Sequence, residues 1–541
     1  MHIIIIGAGP AGLAAALALS QTAIQGSPPR ITILELRPQV ETLGGTILLT
    51  TLALRYLDAL GVGSRLRKLG IPVRGVDVVA LRTGRTLGQM FPGTDSLRVI
   101  RHHLVQCMAD AVAEIPKERV TLRYGARVAD LQQVDDQSDV QGTVRVDVHF
   151  DADKSLESIN CDVLLGCDGI HSFVRTTVVD RERKKTYSGR AIAYGYVKCD
   201  SPGHIHVTTS DGKPILQDST MIQGQHGSFL MTYFEPSRER VYALAMMPMA
   251  ENQDAREGWK ALGEDRVTLK QDIAGRFKGD SIKGLKTIIN ESDWYFYPVY
   301  MLPPNGRWNR GRVLLLGDAA HAMPPQGEST GIAIEDGVLF AHVLGEGIPK
   351  GIPYVMEAYE ALRRDDIKKL HDETMFRWYA GSSSSWLWSV MMEFATWTYL
   401  LLSNYRQEDY FKRDSIIAAW TTYRIISERS WKLPTASSVL TVIIDLIGHR
   451  FLPERQGLNG ESAQKAADGT YKDYKLAIIF GRHWKSNPDM SFRIKANIPL
   501  VKHDRPTCYA PKNSKAYNDW AFSDEFLVSV GTLPTAQQIE L

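Results

Sequence analysis

HIIIIGAGPAGLAAALALS, residues 2–20, reads as a strand, a glycine-rich turn and a helix. Ile3 to Ile6 form an unbroken apolar run, as in a strand covered on both faces. Gly7-Ala8-Gly9-Pro10-Ala11-Gly12 follows at once. In such a GxGxxG turn Gly7 makes the bend, Gly9 lets the backbone meet a pyrophosphate, and Gly12 lets the helix pack close to the strand. The alanine-rich helix Leu13 to Ser20 then offers its N-terminal N–H groups to an anion. A second strand, Ile31 to Leu34, ends in Glu35, a carboxylate placed to accept hydrogen bonds from ribose hydroxyls. A chance glycine turn with a surface glutamate is the bland alternative, and the strand–turn–helix context disfavours it. Arg37 would favour a 2′-phosphate but Glu35 would repel one, so NAD or FAD fits better than NADP.

Two later stretches complete a site. VLLLGDAAHAMPPQGESTGIAIED, residues 313–336, is a buried strand, a Gly/Pro-rich loop and a helix start. It puts Asp318 at the carboxyl end of its strand, where open α/β sheets bind ligands. Gly327 and Gly331 permit close backbone approach, and the helix begins at Gly331. Cys161 to Cys167 reads as a strand, followed by Asp168-Gly169, with Ser172 and Arg175 on the next turn.

Gly44-Gly45-Thr46 leads an amphipathic segment in which Leu49, Leu52, Leu57 and Leu60 fall near helical spacing before Gly61. Arg101 opens another helix. Val73 to Ala80 and Arg85 to Met90 read as strands, and Arg190 to about Met249 is β-rich. Trp259 to Phe277 and Met356 to about Trp378 read as helices. Gly381 and Ser382 to Ser385 then make a linker-like break. Trp386 to Leu402 and Ser438 to Gly448 are apolar runs, and from Pro453 the chain is polar.

A chain of 541 residues makes two or three domains, and 44% hydrophobic with 23% charged residues places it among soluble globular proteins. A net charge of +2 gives no field for nucleic acid. The five cysteines are scattered and lack zinc spacing, so they read as reduced thiols with no metal, in a cytoplasmic protein. A strand begins at His2, which leaves no room for a signal peptide.

GAGPAG with Glu35, CDGIHSFVR (167–175) and GDAAHAMPP (317–325), in that order, resemble the group A flavoprotein monooxygenases, the para-hydroxybenzoate hydroxylase-like family, over about residues 1 to 375. The resemblance implies an α/β fold: a Rossmann-like FAD-binding domain with an inserted β-sheet substrate domain and a helical C-terminal extension. It divides the chain into FAD-binding segments 1–72, 101–184 and 301–378, strands 73–100 joining the substrate sheet, a substrate domain 185–300 and an extension 379–541. By position, Gly7, Gly9, Gly12 and Glu35 fall at the FAD adenosine and pyrophosphate. Gly45 and Thr46 fall beside the ribityl and flavin, and Arg101 at the FAD phosphates and ribose. Asp318 falls on the ribityl hydroxyls, Gly331 beneath the flavin, and Asp168 between FAD and NAD(P)H.

The implied activity is NAD(P)H- and O2-dependent transfer of one oxygen, from a flavin C4a-hydroperoxide, to an aromatic or polyketide-like small molecule of specialised metabolism. Two departures stand out. Gly327-Glu328-Ser329 replaces the family's Gly-Gln-Gly, and Gly331 its common asparagine. Tyr194 stands where many relatives carry a substrate-binding arginine; Arg190 is on the same strand face but about 13 Å away at ~3.3 Å per residue.

Tyr194, Tyr233 and His226 are the pocket candidates, Tyr194 and Tyr233 being the catalytic ones; half-buried strand aromatics and a solvated turn histidine are the bland readings. His321 is read as structural, and the adjacent His102 and His103 point apart on their helix. The run 386–402 is read as packing on the catalytic body or a second subunit in a homodimer, or as peripheral contact with a membrane; Glu393 argues against a span. The alternatives are a flavin-dependent halogenase, for which Trp386-Leu387-Trp388 has the letters but the wrong place, and a non-catalytic prenyl-lipid chaperone on the same fold.

Overall fold

The computed structural model describes residues 1–24, 26–42, 45–93, 95–134, 142–152, 154–251, 259, 263–325, 329–379 and 390–401. The chain divides into Met1–Glu428 and Arg429–Leu541, and the described residues all belong to the first unit. Gly327, Glu328, Trp386 to Trp388, the run Ser438–Gly448 and the polar tail lie outside the described residues.

The isoleucine run builds the centre of a six-stranded sheet, in the order Asn309–Arg310, Val313–Leu315, Val163–Gly166, His2–Ile6, Arg30–Leu34, Val120–Arg123. Its strands are parallel except for the edge pair Asn309–Arg310 and Val313–Leu315. Ile3, Ile4 and Ile5 are fully buried, as strands of a doubly covered parallel sheet are. The helices Pro10–Gln21 and Ser329–Gly347 pack on each other over it. Their approach is so close that a Cβ at Gly337 would overlap the backbone of Ala14 and Ala15.

A seven-stranded sheet runs Tyr295–Met301, Thr186–Lys198, Arg240–Pro248, Gly227–Tyr233, Ser219–Gly224, Val76–Ala80, Thr86–Met90. One face packs Ala193, Phe229, Tyr233 and Ala243 against Leu269, Ile273, Leu285 and Ile288 of the helices Arg266–Arg276 and Leu285–Glu291. The other face turns toward the nucleotide-binding half: Met221, Leu230 and Leu244 meet Leu48 and Val73, and Ile192 and Val299 meet Trp378.

The structure corrects three expectations. Thr46–Leu49 is a strand, and the helix spans only Thr51–Ala59, with the Thr50 side chain accepting from the Ala53 N–H. Pairing with Ser96–Ile100 satisfies the backbone at Thr46–Leu49, which the leucine spacing alone does not reveal. For the same reason Ser96–Ile100 joins a small sheet with Thr46–Leu49 and Ile71–Val73, and only Val76–Ala80 and Thr86–Met90 enter the seven-stranded sheet. The apolar run at Cys161–Cys167 is two elements. Leu156–Cys161 is antiparallel to Thr143–Phe150, and Val163–Gly166 is parallel to His2–Ile6, with Asp162 between them accepting from the His2 N–H at 2.7 Å.

Two glycine substitutions separate packing from propensity. Gly337→Ala forces the two helices apart and should destabilise the protein by about 1–3 kcal/mol. Gly275→Ala, in the helix Arg266–Arg276 with open space around the new Cβ, should stabilise it by about 0.5–1 kcal/mol. Denaturant midpoints check both; a Gly337→Ala protein as stable as wild type contradicts the close helix contact.

Candidate functional site

The site lies where the parallel strands end. Gly7 bends with φ +104, donates its N–H to the Leu34 carbonyl at 2.8 Å, and leaves no room for a Cβ against the Cys167 carbonyl. Gly12 is closed in the same way by the Gly7 carbonyl. Gly9 is different: it is extended, it caps the helix Pro10–Gln21 without a side chain, and nothing lies within 4 Å of where a Cβ would stand. That open space at a helix N-terminus is the shape and polarity a pyrophosphate needs. Glu35 stands beside it. Its Oε2 accepts from the Ala8 N–H at 2.8 Å and its Oε1 from the Arg37 N–H at 3.0 Å. Two backbone donors fix the carboxylate, and its remaining lone pairs stay available to ribose hydroxyls.

The next two strand ends carry the other motifs. Asp168 caps the turn after Val163–Gly166, its Oδ2 accepting from the N–H of Phe173 at 2.7 Å and of Val174 at 3.1 Å. Its Oδ1 is buried without a partner among the described residues, and so is Thr46 Oγ1. Burial raises the Asp168 carboxyl above the usual range, while Ser172 and the backbone N–H groups hold it down. Asp318 follows Gly317, which adopts φ +61, and opens the short helix Asp318–His321. Burial raises its carboxyl too, opposed by the nearby charges of Arg101 and His321. Arg101 begins the helix Arg101–Ala113 and donates its N–H to the Gly45 carbonyl at 3.1 Å. Gly331 sits in the first turn of Ser329–Gly347 against Ala53 and Thr50. Ser172 and Arg175 are structural: the Arg175 N–H donates to Ser172 Oγ, and the guanidinium donates to the carbonyls of Ala319 at 3.0 Å and Ile170 at 2.7 Å.

These groups fit FAD. The open cradle suits its phosphates, Glu35 its ribose, and the orphaned oxygens of Asp168 and Thr46 with Asp318 suit a polyol chain.

Behind the Gly317-Asp318 turn lies a buried ion network of which the sequence reading found only His321. Asp336 accepts from the Gly317 N–H at 2.8 Å, from His321 Nε2 at 2.6 Å and from Arg363 Nε at 2.7 Å. Arg363 also pairs with Glu335 at 2.7 Å, which receives the Tyr56 hydroxyl at 3.3 Å. Burial alone would raise Asp336, but His321 and Arg363 outweigh it and pull the carboxyl down to about 2. The available signal was the Glu335-Asp336 pair inside an otherwise apolar helix.

The face of the seven-stranded sheet turned toward this site is paved with tyrosine. Tyr194 stacks on Tyr295 with centroids 5.3 Å apart and meets Tyr242 at 6.0 Å and Tyr297 at 6.1 Å. Tyr242 lies directly on Gly45. Tyr233, expected beside Tyr194, is on the opposite face. It pairs with Val241 while Tyr242 and Tyr194 share the other side, so strand alternation turns it into the core under the helices. His226 is exposed in the turn after Ser219–Gly224. Arg190 lies over the Trp378 ring, 5.4 Å from its centroid. The rings of His102 and His103 are 6.5 Å apart, and no group among the described residues has the makings of a metal site.

A parallel-sheet FAD cradle facing an aromatic sheet defines a flavoprotein of the hydroxylase type. A family model described as FAD binding domain matches residues 1–374, and the chain belongs to that family, the group A FAD-dependent monooxygenases. An FAD-dependent monooxygenase of Arthrinium sp is 23% identical over 377 residues, covering 69% of this chain and 83% of the relative. An FAD-dependent urate hydroxylase of Klebsiella pneumoniae is 26% identical over 384 residues, covering 68% and 88%. Among solved structures, a salicylate hydroxylase substrate complex superposes with a TM-score of 0.59 at 18% identity, covering 78% of this chain and 98% of the other, a likeness of fold.

Asp318→Ala should weaken FAD binding by at least ~10-fold, read as the ratio of flavin to protein absorbance; undiminished flavin content contradicts the assignment. Asp336, depressed in the folded state, stabilises the protein above the ordinary carboxylate pKa near 4 and loses that contribution as pH falls toward 2. Urea midpoints should therefore fall more steeply between pH 5 and pH 3 (about one unit either side of that value) for wild type than for Asp336→Asn.

Proposed function

We propose that the enzyme uses NAD(P)H and O2 to place one oxygen atom on an aromatic or polyketide-like small molecule of specialised metabolism. The observation that carries this reading is the contact of Tyr242 with Gly45, which sets the tyrosine pavement directly over the cofactor segment. Bound FAD would accept two electrons from NAD(P)H and activate O2. The chain supplies position and dryness. Tyr194, Tyr295, Tyr297 and Tyr242 offer ring faces to a planar substrate at offset-stacking separations. Burial pushes the Tyr297 phenol up to about 12 and Tyr242 well above its ordinary value, so both stay protonated and act as hydrogen-bond donors, not bases. A single GxGxxG unit accords with an NAD(P)H that docks transiently beside Asp168.

We also place a peripheral contact, with a membrane surface or a second copy of the chain, on the helical residues 390–401. Glu393 ties this segment to Arg82 at 2.6 Å, and Phe394, Trp397 and Leu401 are exposed. Among the described residues no helix is long and apolar enough to cross a membrane.

The test is 18O2 turnover across a panel of phenols, heteroaromatic acids and polyketide-like phenols, with NADH or NADPH. Label in a product and substrate-stimulated NAD(P)H oxidation are expected; a yellow protein whose products carry no label overturns the proposal. Tyr194→Ala should open the pavement to water and divert at least about half of the reducing equivalents to hydrogen peroxide, while Tyr194→Phe keeps most of the coupling; equal peroxide yields in the two variants would deny the ring its role.

A further inference from the structure

Among the buried arginines one lacks what the others have. Arg175 donates to the carbonyls of Ala319 and Ile170, Arg183 to that of Pro303, Arg363 to Asp336 and Arg190 to Met246 Sδ beside the Trp378 ring. The side chain of Arg98, a residue only 6% exposed, has no hydrogen-bond or ion-pair partner among the described residues, and its Nε is sealed from solvent. No described carboxylate acts on it either; the one neighbouring group that favours its charge is Tyr242. Burial lowers the guanidinium to about 10, so it is a cation at neutral pH.

Its place in the fold gives its direction. Arg98 is the middle residue of Ser96–Ile100, paired with Leu48 on one side and Ile71 on the other. Ile100, two residues on and therefore on the same face, packs against Tyr194, Phe234 and Tyr242. Leu48 meets Leu230 and Leu244 of the same pavement. Arg98 therefore stands between the cofactor segment and the tyrosines, away from the phosphate cradle at Gly9. Burying a cation without a counter-ion is strongly unfavourable, and such a cost is recovered when an anion of matching shape arrives. A guanidinium fork is built for a planar, two-oxygen anion.

We infer that Arg98 receives an anionic group of the substrate, a carboxylate or the ionised oxygen of a phenol or enol, and so selects acids over their neutral counterparts. The inference deepens the monooxygenase reading and rests on it. It places the substrate-binding cation on the small sheet next to the cofactor segment, opposite Tyr194, and not on the strand that carries Tyr194.

The test uses the FAD-loaded full chain, titrated with benzoate and with benzamide as the neutral isostere, followed by the visible flavin spectrum and intrinsic fluorescence. Benzoate should bind saturably and benzamide at least ~10-fold more weakly. Arg98→Met should weaken benzoate ~10- to 100-fold, as expected for a charge-assisted pair, with Arg98→Lys between. Arg98→Met should keep its FAD and be at least as resistant to urea as wild type, because it removes an uncompensated buried charge. Wild type that does not saturate with benzoate, or Arg98→Met that binds it unchanged, overturns the inference. So does loss of FAD from Arg98→Met, which would assign the cation to the cofactor. A holoprotein that consumes O2 with NAD(P)H yet ignores benzoate sinks this inference alone; a chain that takes up no FAD sinks the reading beneath it.

Discussion

Three hydrogen bonds across the ends of four strands set the geometry on which the rest depends. Gly7 donates to Leu34, Cys167 to Ile6, and Leu316 to Gly166. They continue the parallel ladder one step past the last strand residues, so Glu35, Gly7, Asp168 and Asp318 emerge in a row from neighbouring strands. Residues more than 300 positions apart in the chain thereby meet at one edge of the sheet. Parallel pairing is what makes this possible, since only parallel neighbours bring all their carboxyl ends to one edge.

That edge would be floppy without ties between its loops. Arg175 supplies one, running from the loop after Asp168 to the Ala319 carbonyl in the loop after Asp318. Asp336 supplies another, holding the Gly317 N–H and His321 from behind. Its negative charge is balanced by Arg363, whose second partner is Glu335. A buried ion cluster of this kind contributes little net stability compared with an apolar filling. What it contributes is a fixed turn, so that Asp318 can be held desolvated and close to Arg101 instead of relaxing into water.

The nucleotide-binding half was legible in the sequence because its constraints are local. A glycine that must adopt φ +104, as Gly7 does, or a carboxylate that must sit just past a strand, one residue on for Glu35 and three for Asp318, leaves a mark at a short offset from an apolar run. The segment Thr46–Leu49 was misread because its state is decided by a partner, Ser96–Ile100, that local spacing does not name. Tyr194 and Tyr233 were equally plausible as letters; only the register, which pairs Tyr233 with Val241 and Tyr194 with Leu244, puts them on opposite faces. The Asp336 network and Arg98 escaped for the same reason. Whether a buried charge is paired is a property of contacts, and no single-chain pattern carries it.

The two halves of the molecule are joined by a division of labour visible at Gly45. A side chain at that position would collide with Tyr242, so the glycine is what allows the aromatic sheet to approach the cofactor segment at all. The approach brings phenols that burial keeps neutral to one side of this contact and Arg98 to the other. Neutral phenols do not compete for the guanidinium. Arg98 is buried at that approach beside Tyr242 with no carboxylate partner among the described residues. Close packing of this kind also excludes water from the contact.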